Sequence, residues 1–107
     1  MNNYYLKLIL RTCTIFLLGS LTATLAADGK ALYTQKLCVT CHGEAGNKPI
    51  MPQYPKLAGQ NKEYMLQQIK DIKSGQRSNG MSAAMKALVA NVGDEDIDAI
   101  ADYLSQQ

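Results

Sequence analysis

Residues 38 to 42 read Cys38-Val39-Thr40-Cys41-His42, two thiols separated by two residues with an imidazole directly after the second. On a helical turn, positions three apart share a face, so both sulfurs lie on one side and the next side chain follows at once. This is the pentapeptide of covalent haem attachment: each thiol adds to a haem vinyl group as a thioether, and His42 reaches the iron. A cysteine pair alone has other readings, namely a redox dithiol, half a zinc site or a structural disulfide. The surrounding sequence decides among them.

Most of residues 1 to 27, MNNYYLKLILRTCTIFLLGSLTATLAA, read as a secretory leader, with Lys7 and Arg11 ahead of an apolar stretch from Cys13 to Ala26 and small residues before the cut. The expected division is a cleaved signal peptide over 1–26, give or take one residue, and one domain over 27–107. A membrane anchor is the competing reading, but 16 residues separate Arg11 from Asp28, and a spanning helix needs roughly 20. No permanent membrane span is expected. Arg11 and Thr12 before Cys13 do not suit a lipid-attachment signal, so Cys13 is read as part of the leader.

Removing the leader leaves two cysteines and one histidine. A four-ligand zinc site of Cys and His then lacks a ligand, and a redox dithiol belongs between a strand and a helix, where this motif follows a helix. The 11 Lys and Arg fall to nine, matching nine Asp and Glu. A near-neutral chain lacks the uncompensated cations that phosphate binding needs, so no nucleic-acid partner is expected.

The remaining sequence predicts an all-α fold: three main helices joined by long loops. The first starts at Asp28 as N-cap and places Gly29, Tyr33 and Leu37 on one face. The second spans Asn61 to Ser74, with Met65, Ile69 and Ile72 as its stripe and Gly75 as C-cap. The third opens on Asp94, Glu95 and Asp96, which suit the positive end of the helix dipole, and buries Ile97, Ile100, Ala101 and Leu104. Residues 43–59 and 75–93 connect them, the latter with a short helix around Met85. Loops this long in so small a domain need a large apolar object to wrap, and a haem is one.

With His42 the single histidine, a second axial histidine is excluded. Methionine is the natural sixth ligand, since its soft thioether raises the potential of the iron. Met65 falls on the core stripe of the second helix. Met51 stands nine residues from His42 and is expected on the same haem face. Met81 and Met85 both lie far enough along the chain to reach the opposite face, and spacing alone does not separate them.

The segments CVTCHGEAGN, YPKLAGQNKEYMLQQIKDIKSGQR and GDEDIDAIADYLSQQ, in this order, resemble the small bacterial class I cytochromes c, in particular a single domain of the two-haem periplasmic cytochromes. The resemblance covers most of residues 28–107 and implies the class I cytochrome c fold around one covalent haem c. In related domains the ligand methionine stands seven residues before an apolar residue that opens the last helix. Here Val92 points back to Met85, with Met81 as runner-up. The resemblance further implies that Pro55 offers its carbonyl to the second nitrogen of His42. It also implies that Gly29, Tyr33 and Tyr103 sit where the terminal helices cross, although the interval from Tyr33 to Cys38 is one residue long for the pattern.

These readings define a periplasmic electron carrier with His/Met ligation that cycles between Fe(II) and Fe(III). No catalytic residue and no small-molecule substrate are expected. Its partners would be redox proteins such as membrane oxidoreductases or terminal oxidases and reductases. Two alternatives keep the haem and change its use: a haem subunit of a larger redox complex, and an enzyme or gas sensor with an open sixth position. Nothing polar in the sequence supplies the distal base a peroxidase would want, beyond Arg77 or a carboxylate. Lys48, Lys56, Lys62, Lys70, Lys73 and Lys86 are read as solvated surface.

Overall fold

Asp28 opens the first helix as expected: its carboxylate accepts from the backbone N–H groups of Lys30 and Ala31, and α1 runs Gly29–Gln35. The computed structural model describes residues 26–107. The leader reading, with Cys13, lies outside them except for Ala26. Four further α-helices follow, α2 Cys38–His42, α3 Lys62–Ser74, α4 Ser82–Val89 and α5 Asp94–Ser105, with a 3-10 turn at Glu44–Gly46. Among the described residues every regular element is helical, and α4 is the short helix expected around Met85.

The terminal helices α1 and α5 cross at Gly29. A β-carbon there would collide with the carbonyl oxygen of Ala99 and press on Tyr103 Cβ, so only glycine lets the two backbones approach this closely. One turn on, Tyr33 is 2% exposed and stacks obliquely on Tyr103, ring centroids 6.1 Å apart. Its hydroxyl donates to the Gly43 carbonyl at 2.7 Å, satisfying the one polar atom that this burial would otherwise strand. Met65 from α3 and Ile100, Ala101 and Leu104 from α5 complete this core.

Leu37 departs from the expected face. The helix ends at Gln35, and Leu37 turns into the left-handed region at φ 63°, leaving its side chain 63% exposed. This turn carries the chain from the end of α1 to the start of α2 at Cys38. For a residue with a β-carbon such a conformation costs roughly 1–2 kcal/mol.

Asn61 caps α3 by accepting from Tyr64 N–H at 3.0 Å, and Gly75 ends it at φ 84°. Val92 does not open the last helix: it is buried in the connection ahead of Gly93, and α5 begins at Asp94. The acidic first turn of α5 serves its dipole, and acidic residues along the first half of the helix face lysines. Lys36 pairs with Asp96 at 2.9 Å, Lys62 with Asp98 at 2.9 Å, and Lys73 with Asp94 at 3.4 Å. Two lysines read as free surface, Lys62 and Lys73, are therefore engaged with α5.

Candidate haem-binding site

The short helix α2 places Cys38 and Cys41 three residues apart, with His42 at its end, and all three line a cavity of about 280 Å³. Burial pushes the unmodified Cys38 thiol above its ordinary value. Gly43 then turns the chain away at φ 77°, a conformation only glycine adopts without strain, and a β-carbon there would strike the Lys48 carbonyl.

His42 is 6% exposed, and its ring is oriented by the loop that follows. The Nδ1 atom lies 2.9 Å from the Pro55 carbonyl oxygen. A carbonyl can only accept, so Nδ1 carries the proton and Nε2 keeps a free lone pair, the tautomer a metal requires. Burial lowers the His42 pKa, and the Pro55 bond opposes that shift in part, so the neutral ring is the favoured form. Tyr54 packs obliquely against the imidazole, centroids 6.2 Å apart.

The loop bearing Pro55 is held by backbone bonds. Leu57 and Ala58 N–H donate to the Gly46 carbonyl at 2.8 and 3.1 Å, Ile50 N–H to Cys41 at 3.1 Å, and Gly59 N–H to Leu104 at 2.9 Å. These ties account for a long loop in a small domain: it is sewn to α2 and to the end of α5.

Later in the chain than the attachment helix, α4 and its approach bring Met81 and Met85 to the cavity lining. Met81 precedes the helix and is 43% exposed, whereas Met85 lies inside it and is partly buried. Met51 is 37% exposed and is not part of the lining. Met65 is 6% exposed and belongs to the core, although one side of it reaches the cavity.

The rest of the wall is mostly apolar, with Leu57, Ile69, Ile72, Val89, Ile97 and Leu104 among its members. Arg77 also lines it, its Nη1 donating to Gln68 Oε1 at 2.8 Å; no carboxylate pairs with it among the described residues. The sequence reading passed over Arg77 except as a distal base. A guanidinium that lines an apolar cavity with no carboxylate partner among the described residues suits the carboxylates that a haem carries. Thiols on one helix, a lone-pair nitrogen, soft sulfur donors and an apolar wall all fit a covalent haem.

A fold of helices around such a cavity, entered by a CxxCH helix, defines a class I c-type cytochrome. The chain belongs to the cytochrome c family, whose profile matches residues 26–107. It is 43% identical over 82 residues to cytochrome c4 of Pseudomonas aeruginosa, covering 77% of this chain and 38% of that protein. It is 35% identical over 98 residues to cytochrome c-553 of Nitratidesulfovibrio vulgaris, covering 92% of this chain and 93% of that protein. A third relative, the thiosulfate dehydrogenase electron acceptor of Stutzerimonas stutzeri, is 37% identical over 83 residues, 71% of this chain and 36% of that protein. The chain thus spans less than two fifths of the cytochrome c4 relative and most of the cytochrome c-553 one. Its cofactor is covalently attached haem c, and its role is that of a haem-based electron carrier.

Proposed function

We propose that residues 27–107 form a periplasmic carrier of single electrons. In this reading Cys38 and Cys41 hold one haem c as thioethers, and His42 Nε2 and Met85 Sδ are the axial ligands of its iron. The carrying observation is that Cys38, Cys41, His42 and Met85 line one cavity while Nδ1 of His42 is already engaged by Pro55. Met85 is preferred to Met81 because a partly buried position within α4 holds a thioether more firmly than an exposed position ahead of it.

The haem supplies a one-electron couple between Fe(II) and Fe(III). The chain supplies position and environment. Pro55 holds the imidazole in a single tautomer, α2 fixes both sulfurs on one edge, and the apolar wall keeps water away from the thioether ligand. Two ligands retained in both oxidation states leave little to rearrange on electron transfer. The chain therefore has no turnover of its own, and residues 1–26 serve as the leader that sends it across the inner membrane. Its partners are redox proteins, membrane oxidoreductases or terminal oxidases and reductases, met in brief contacts of small area. The relative named as an electron acceptor of thiosulfate dehydrogenase supports a dehydrogenase as one further class of donor.

The test is the weak ferric absorption band of sulfur-ligated iron in the haem-loaded protein. Met85→Ala is expected to abolish it and Met81→Ala to leave it in place. The reverse pattern would transfer the ligand role to Met81.

A further inference from the structure

Residues 75–93 carry both candidate methionines, and few hydrogen bonds tie them to the rest of the molecule. Those within the segment are local: Ser82 N–H to Asn79, Met85 N–H to Met81 and Val92 N–H to Val89. At its entry Arg77 is fastened twice to α3, by its N–H to the Asp71 carbonyl at 3.0 Å and by its guanidinium to Gln68. At its exit Lys73, in the last turn of α3, donates from Nζ to the Val92 carbonyl at 2.6 Å, with Asp94 Oδ1 at 3.4 Å. Among the described residues this is the one hydrogen bond from α3 to the exit of the segment.

The grip is well placed to matter. Val92 is 8% exposed and its neighbour Val89 is 5% exposed, so the end of α4 is seated in the core. Helical backbone runs from Met85 through Val89 to Ala90, which still has helical angles, two residues short of the gripped carbonyl. A force on Val92 is therefore carried along a rigid element to Met85. The bond is charge-assisted and the Lys73 side chain is 25% exposed, which makes it stronger than an ordinary surface contact. Asp94, wholly exposed, adds little of its own.

We propose that Lys73 is a positioning residue for the axial methionine: by holding the Val92 carbonyl it fixes the exit of the segment that bears Met85, and so governs how readily the sulfur leaves the iron. This rests on the His/Met reading given above.

The experiment is an imidazole titration of the ferric, haem-loaded protein, since imidazole binds iron only when the thioether has left. Lys73→Met is expected to bind imidazole about tenfold more tightly, the size of one lost hydrogen bond to a charged group. Lys73→Arg, which restores the donor, should return close to the unaltered protein, and Asp94→Asn should do the same. Lys62→Met removes a lysine of the same helix that pairs with Asp98, away from the methionine segment, and should leave the affinity unchanged. Should Lys73→Met not fold, Lys73→Gln carries the same comparison. An unchanged affinity in the Lys73 variant, or an equal gain in Lys62→Met, would overturn the positioning role. Retention of the sulfur band by Met85→Ala would instead overturn the ligand assignment, and the inference with it.

Discussion

The crossing of α1 and α5 and the methionine segment 75–93 are built on opposite principles. At the crossing, protein packs on protein: Gly29 meets the Ala99 backbone, Tyr33 is 2% exposed, and Leu104 is equally buried. Around the methionines, Met81 and Leu88 stay 43% and 54% exposed, and several apolar side chains face a cavity. One half of this core is polypeptide. The other half is completed by the cofactor, which is how about 80 residues reach a stable fold without disulfides.

The largest effect should follow from withholding the haem. In a Cys38→Ala, Cys41→Ala double variant prepared without haem, native-state hydrogen exchange is expected to show no protection over 75–92, with residual protection confined to α1 and α5. Equal protection in both regions would erase the contrast. Next comes Gly29→Ala in the haem-loaded protein. The added carbon has no room against the Ala99 carbonyl, so unfolding by denaturant should show a loss of about 3 kcal/mol. A loss below about 1 kcal/mol would mean that the helices can part at little cost.

Tyr33 sharpens the comparison through pH. Burial, and next to it the unmodified Cys38 thiol, raise its hydroxyl pKa from 10 to about 12 in the chain without haem. The folded protein therefore holds this proton more tightly than the unfolded chain. Stability from this group is intact below pH 10 and falls as pH rises from there through the raised folded-state value. Tyr33→Phe is expected to lose about 1 kcal/mol at neutral pH, from the bond to Gly43, and to flatten that alkaline slope. An unchanged slope would place its origin elsewhere. The smallest change is Leu37→Gly, which relieves a left-handed residue and should stabilise by up to about 1 kcal/mol. A loss of stability would show that the Leu37 side chain packs on the haem edge.

Much of this was legible in the sequence because it depends on local pattern. Asp28 as cap, Gly75 as terminator, and the stripe Ile97, Ile100, Ala101 and Leu104 follow from helix periodicity and capping chemistry, and the structure places them so. The attachment helix was legible because its five residues are contiguous. Leu37 was misplaced on the buried face because periodicity assumes the helix continues, whereas the chain ends it two residues earlier. The pairings of Lys62 and Lys73 with α5, and the grip of Lys73 on Val92, join positions 19 or more residues apart. No spacing rule reports such contacts. Spacing alone does not separate Met81 from Met85, which stand four residues apart; the family resemblance points to Met85, and in the structure Met85 is the more buried of the two.

The most direct test of a closed His/Met electron carrier is carbon monoxide added to the reduced, haem-loaded protein while its optical spectrum is followed. An unchanged ferrous spectrum is expected, because Met85 holds the sixth position. A prompt shift to a carbon monoxide complex, with a high-spin ferric spectrum before reduction, would mean an open iron and a protein built to bind or transform a small ligand.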